Sequence, residues 1–116
     1  MTQNELIVLV LAGNQDAFRS IVELYNANIF HTCLGFVHKK EDAEELTQDV
    51  FVNVYQNLHR FKGNSSFSTW IFRIAVNSSL NHLRKQKRFG FILRLENVLG
   101  IEQQDQKNTK MQFDPS

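Results

Sequence analysis

Six side chains able to recognise a nucleic acid recur at helical spacing through the middle of this chain: Trp70, Arg73, Asn77, Asn81, Arg84 and Arg88. Steps of three and four residues bring all six within roughly 80° of one another on a helix, along a line of roughly 27 Å. Arginine suits phosphate oxygens and guanine edges, asparagine suits adenine edges, and tryptophan offers a stacking face. Cations near a helix C-terminus also complement the helix dipole. That plain explanation covers Arg84 to Arg88, but not Arg73, Asn77 and Asn81 on the same line. Immediately upstream runs Arg60-Phe61-Lys62-Gly63-Asn64-Ser65-Ser66-Phe67. Gly63 frees the backbone, and Asn64, Ser65 and Ser66 supply donors and acceptors. Such a loop can hold one unstacked base against an aromatic wall. The same residues can instead serve the fold, with Phe61 and Phe67 as core plugs and a serine as helix cap.

Charge sharpens the contrast between the two ends. From His59 to Arg94 there are eight Lys or Arg and no acid, whereas residues 1 to 58 carry eight acids against three bases. The net charge of +1 conceals this polarity. The basic half is suited to a polyanion.

A second surface lies in the acidic half. On a helix begun near Glu41, the residues Ala43, Leu46, Thr47, Val50, Phe51, Val54 and Leu58 form a core stripe. The opposite side carries Glu41, Glu45, Gln48, Asp49, Val52 and Gln56. An acidic helix face is ordinarily just solvated, and one exposed apolar residue is unremarkable. Val52 ringed by acids and amides nevertheless has the pattern of a small interface anchor within a polar rim.

The elements that must position these groups are helical. The chain has 116 residues, ten Phe, five Gly and a single proline at Pro115. Few breakers and apolar residues at 3.6-type spacing predict an all-α bundle of about four helices. Their expected spans are 3–12, 15–38, 41–58 and 66–87. Thr2 to Glu5 has capping-box spacing, and Gly13 is placed to end the first helix. Asn14 or Asp16 caps the second, whose Phe18, Ile21, Val22, Tyr25, Ile29 and Phe30 face the core. Glu41 and Asp42 suit the N-terminus of the third. Ser66 or Ser68 caps the fourth, in which Phe67, Ile71, Ile74 and Ala75, flanked by Phe72, Val76 and Leu83, make a wide apolar arc. The segment 89–99 is left open as an extension packing back on the body. The expected division is a domain over 1–95 and a linker or tail over 96–116.

Other function classes fit poorly. His31, Cys33, His38, His59 and His82 show no recognised metal-ligand spacing, so no metal or other cofactor is expected. No phosphate-binding glycine loop or nucleophile motif is present, and the chain reads as a non-enzyme. Cys33 has no partner for an internal disulfide. The apolar run 6–12 lacks a basic flank and is too short to span a bilayer. A cytoplasmic soluble protein without membrane insertion is the expectation.

Two stretches, Asp42-Ala43-Glu44-Glu45-Leu46-Thr47-Gln48-Asp49-Val50-Phe51 and Phe67-Ser68-Thr69-Trp70-Ile71-Phe72-Arg73-Ile74-Ala75-Val76-Asn77, together resemble region 2 of bacterial sigma factors. The resemblance is closest to the extracytoplasmic-function (ECF) group and runs from about residue 15 to 87. It implies a promoter-recognition domain whose third helix docks on a coiled coil of the largest RNA polymerase core subunit. The matching positions are Asp42, Glu45, Gln48, Asp49 and Val52. It also implies that the loop and fourth helix open and read the minus-ten promoter element, holding non-template bases in single-stranded form. That assigns Phe61, Lys62, Asn64, Ser65 and Ser66 to a base pocket and Trp70, Arg73, Asn77 and Asn81 to the reading helix. Arg84 and Arg88 become backbone contacts. An anti-sigma factor is a further partner implied by the family. Complete members carry a second helical domain for the minus-thirty-five element, which the residues after Leu99 are too few to supply; a fragment and a truncated member are both compatible with that. The competing expectation is a helical interaction module that binds an acidic protein without reading DNA.

Overall fold

The computed structural model describes residues 1–100 and is built from α-helices: α1 (Gln3–Leu11), α2 (Gln15–Val37), α3 (Lys40–Asn57) and α4 (Phe67–Leu99). A 3₁₀ turn, Leu58–Arg60, follows α3, and no strand occurs among the described residues. The all-α bundle of four helices expected from periodicity is therefore the observed fold. The described residues divide into two compact units, Met1–Asn81 and a second that begins at His82, and α4 contributes to both.

Helix ends follow local chemistry. Thr2 Oγ1 accepts from the Glu5 amide at 3.2 Å, and Asn14 Oδ1 accepts from the Ala17 amide at 3.0 Å. Each satisfies an amide that has no partner within its helix. Gly13 turns the chain between α1 and α2 at φ +95°, a backbone region costly for any residue with a Cβ. α2 ends on His38 in the left-handed region at φ 59°, with its amide donating to the Leu34 carbonyl at 2.9 Å. α3 starts without a side-chain cap, but Glu41 and Asp42 in its first turn face the positive end of its dipole.

The first unit buries one apolar stripe from each helix. α2 gives Ile21, Tyr25, Ile29 and Cys33, and α3 gives Ala43, Leu46, Val50 and Val54. Leu58 from the turn and Phe67, Ile71 and Ala75 from α4 complete it, with Leu6, Ile7 and Val10 of α1 also buried. Every residue of the α3 stripe expected from the wheel is buried. Thr47 can join an apolar layer because its hydroxyl donates to the Ala43 carbonyl one turn back, at 2.7 Å.

Two expectations need correction. Phe72, placed beside the apolar arc of α4, is 49% exposed. The fourth helix also does not stop near Lys87. It continues through Gly90 to Leu99, because one interior glycine costs only about 1 kcal/mol and its neighbours are mostly good helix formers. In this continuation Phe89, Ile92 and Leu93 are half-buried and Glu96 is buried, while Phe91, Arg94 and Leu95 are exposed. The division anticipated after residue 95 falls inside this helix, and residues 101–116 of the anticipated tail lie outside the described residues.

Candidate functional site

The first unit presents two chemically distinct surfaces. The first begins where α3 ends. After the Leu58–Arg60 turn the chain runs extended at Phe61 and reverses at Gly63, φ +77°. It enters α4 through Ser66, whose Oγ accepts from the Thr69 amide at 3.1 Å and lies 2.9 Å from the Thr69 hydroxyl. Ser65 Oγ donates to the Ser66 carbonyl at 3.2 Å. One serine is thus committed to capping, and the other braces the turn.

Four rings pack around this entry. Phe67, 3% exposed, is the plug. Its centroid lies 5.5 Å from Phe61, 5.8 Å from Trp70 and 5.8 Å from Tyr25 of α2. Phe61 and Trp70 also face each other at 5.4 Å. Phe67 is thus a core plug, as the reading of the loop aromatics as serving the fold expects, while Phe61 and Trp70 are half-buried at its margin. Lys62, Asn64 and Ser66 are exposed and Ser65 is half-buried. Beyond Trp70, the side chains of Arg73, Asn77 and Asn81 are exposed, on the side of α4 away from buried Ile71 and Ala75. Arg84 and Arg88 belong to the second unit, where both are exposed.

The second surface is on α3. Glu45, Gln48 and Asp49 are exposed, Asp42 is half-buried, and Val52 is 54% exposed. Val52 does not stand alone. It borders an open groove of about 640 Å³ between α2 and α3, walled by Phe18, Val22, Phe51 and Tyr55. The amides of Gln15, Asn26, Gln48 and Gln56 form the polar part of its lining. Tyr55, 49% exposed, is held edge-on to Phe18 at 4.9 Å. Apolar walls with amides at the edge suit an inserted aliphatic side chain on a helix whose flanks can meet acids and amides.

The α2 wall and Tyr55 escaped sequence reasoning. Tyr55 follows Val52 by three residues, so a shared face was available as a signal. Phe18 and Val22 were read as core, and both are in fact half-buried. Among the described residues, no group of three or more His, Cys, Asp or Glu side chains converges as a metal site would require. No helix among them is long and apolar enough to cross a membrane.

Comparison with known proteins bears on the family and the fold. Residues 21–89 match the family model described as Sigma-70 region 2. The ECF RNA polymerase sigma factor SigW of Bacillus subtilis (strain 168) is 38% identical over 78 residues, 67% of this chain and 42% of SigW. The chain thus spans less than half the length of the curated relatives it matches. Among solved structures, an engineered region 2 of sigmaE in complex with GTAAAA superposes with a TM-score of 0.70 at 34% identity, covering 76% of this chain and 92% of that one. CnrH, solved in complex with the cytosolic domain of CnrY, superposes at 0.61 with 25% identity, covering 87% and 67%.

Proposed function

The chain belongs to the sigma-70 region 2 family, and on that footing we propose that it is the promoter-recognition domain of an ECF-type sigma factor. In this reading the α3 face and its groove seat the coiled coil of the largest core polymerase subunit. Val52 and Tyr55 meet apolar side chains of that helix pair, and Asp42, Glu45 and Asp49 meet its cations. The loop and α4 capture the non-template strand of the minus-ten element once it is unpaired. Phe61 and Trp70 offer stacking faces beside the loop, and Lys62, Asn64, Ser65 and Ser66 surround the captured base. Arg73, Asn77 and Asn81 read or steady the neighbouring nucleotides, and Arg84 and Arg88 meet phosphates. An anti-sigma protein competes for the same faces.

The observation that carries this reading is the loop entry to α4. A capped helix start, half-buried Phe61 and Trp70, and an exposed Arg73–Asn77–Asn81 line sit together in an acid-free stretch. Stacking faces next to amide donors and acceptors favour a single strand over a duplex. The complex of engineered sigmaE region 2 with GTAAAA supports it by analogy.

Binding of fluorescent single-stranded oligonucleotides by the chain assembled with core polymerase tests the proposal. A preferred sequence selected from a random pool should bind at least about tenfold more tightly than its scrambled form, the span of one bidentate base contact. Equal binding of all sequences, with retention of an acidic protein instead, would make the basic surface a protein-docking face.

A further inference from the structure

One part-buried set of hydrogen bonds, centred on Tyr25, lies behind the loop entry. The Tyr25 side chain lies inside the first unit, where its hydroxyl meets two other helices. The Gln3 Nε2 of α1 donates to it. On its other side Ser68 Oγ, in the first turn of α4, lies 3.1 Å away. The Tyr25 hydroxyl can both accept and donate, so the three groups form a relay from α1 through α2 to α4 in which either hydroxyl of the Tyr25–Ser68 pair can be the donor. The Tyr25 ring meanwhile stands at 72° to Phe67, and Phe67 in turn carries Phe61 and Trp70.

Tyr25 therefore grips α4 at two adjacent residues, one by hydrogen bond and one by ring edge. Those residues lie between the capping Ser66 and the half-buried Trp70. The exposed turn supplies the Ser66 cap. The relay adds a tie from buried Tyr25 to the first turn of α4, with exposed residues, Gln3 and Ser68, at its two ends. It also brings in α1, which precedes the residues matched by the family model.

We propose that Tyr25 is a positioning residue for base recognition, and that the Gln3–Tyr25–Ser68 relay holds the recognition loop and the first turn of α4 in register through the docking of α1. This rests on the reading of the loop and α4 as the DNA surface. The consequence is specific: loosening the relay blurs discrimination between sequences before it weakens general affinity for DNA. Phosphate contacts tolerate small shifts of a helix start, whereas hydrogen bonds to a base edge weaken steeply with angle.

Trp70 is the single tryptophan of the chain, so its fluorescence reports on the ring cluster with no DNA present. Tyr25→Phe keeps the ring and removes the hydroxyl. Gln3→Ala and Ser68→Ala cut the relay at its ends, and Ser68→Thr keeps a hydroxyl in place. In the full chain, the first three should raise acrylamide quenching of Trp70, and Ser68→Thr should not. With core polymerase added, the affinity ratio of preferred to scrambled oligonucleotide should fall about three- to tenfold in the first three, the range of one or two net hydrogen bonds. Scrambled-sequence affinity should hold, and Ser68→Thr should restore the ratio. Unchanged quenching in Tyr25→Phe overturns the proposal, and so does an equal loss on both oligonucleotides. If the parent chain shows no sequence preference and Asn64→Ala and Asn77→Ala change nothing, the DNA reading itself has failed. The recognition role of Tyr25 then falls with it, whatever the quenching series reports about the cluster.

Discussion

In the proposed function the α3 face and the loop–α4 face answer different binding problems, and they are made of different materials. On α3 the apolar centre, Val52 and Tyr55, sits on one rigid helix and opens onto a groove shared with α2. Affinity there comes from desolvating a few side chains, and acids and amides set the orientation. On the loop and the start of α4 the exposed groups are amides, hydroxyls and cations around a partly covered ring cluster. Such groups contribute little by burial and much by matching a pattern of donors and acceptors. In the proposed function the first surface holds a partner and the second discriminates between sequences. Their supports differ accordingly. The α3 face is backed by its own buried stripe, while the start of α4 has a cap, a plug and hydrogen-bonded contacts running back through α2 to α1.

The largest effect should come from breaking the holding surface. Val52→Lys places a charge at the edge of the apolar groove and should weaken core-polymerase binding by about 2 to 4 kcal/mol, as loss of a central anchor does. Its melting temperature should stay nearly unchanged, since an exposed site typically shifts stability by no more than about 0.5 kcal/mol. Titration of labelled core polymerase together with thermal unfolding measures both. A parallel loss of stability would mean that Val52 serves the fold and that the contrast between the faces is misdrawn.

Next in size are the discriminating amides. Asn64→Ala and Asn77→Ala should each cost about 1 to 3 kcal/mol on the preferred single strand and little on a scrambled one. Anisotropy with both oligonucleotides, in the presence of core polymerase, reads the difference. Uniform loss on both would make these residues steadying contacts and leave base reading to the rest of the loop.

These expectations differ in how far the chain alone could support them. The α3 stripe and the exposure of Val52 were legible because both depend on a 3.6-residue period within a single element. The loop and its amides were legible as a candidate site from composition and spacing. The groove was not, because Phe18 and Val22 reach it only when α2 lies alongside α3, and periodicity within α2 cannot tell a wall from a core. The different burial of the loop aromatics was equally hidden, since Phe61 and Phe67 are the same residue type and only the packed fold separates them. The Tyr25 relay joins residues 22 and 43 positions apart, and no local pattern announces such a link. The full length of α4 stays open in the sequence, because the pattern over 89–99, which includes Gly90, does not by itself decide between a continued helix and a separate extension. One glycine costs too little to stop a helix.

A smaller effect should separate holding from reading within the basic half. Arg88→Ala is expected to weaken preferred and scrambled strands alike and to reduce the single-strand salt slope by about 0.7. A salt titration of both oligonucleotides checks it. Selective loss on the preferred strand would move Arg88 from phosphate contact to base reading and blur the division of labour proposed for this surface.

The smallest expected effect lies beneath the discriminating surface and should touch neither partner. Ser79, on α4, is fully buried, and its hydroxyl has no hydrogen-bond partner. An unsatisfied buried hydroxyl carries its desolvation cost without return, whereas a methyl at the same place fills nearly the same volume. Ser79→Ala should therefore raise stability by up to about 1 kcal/mol, a rise of about 4–8 °C in melting temperature for a domain of this size. Core-polymerase affinity and the ratio of preferred to scrambled DNA should both stay as they were. Unchanged or lower stability would mean that the hydroxyl is satisfied in solution, by an ordered water for instance. A changed DNA ratio at unchanged fold would be more consequential. It would mean that the packing beneath α4 sets the register of the reading side chains directly, and that the discriminating surface is supported along its length as well as at the loop entry.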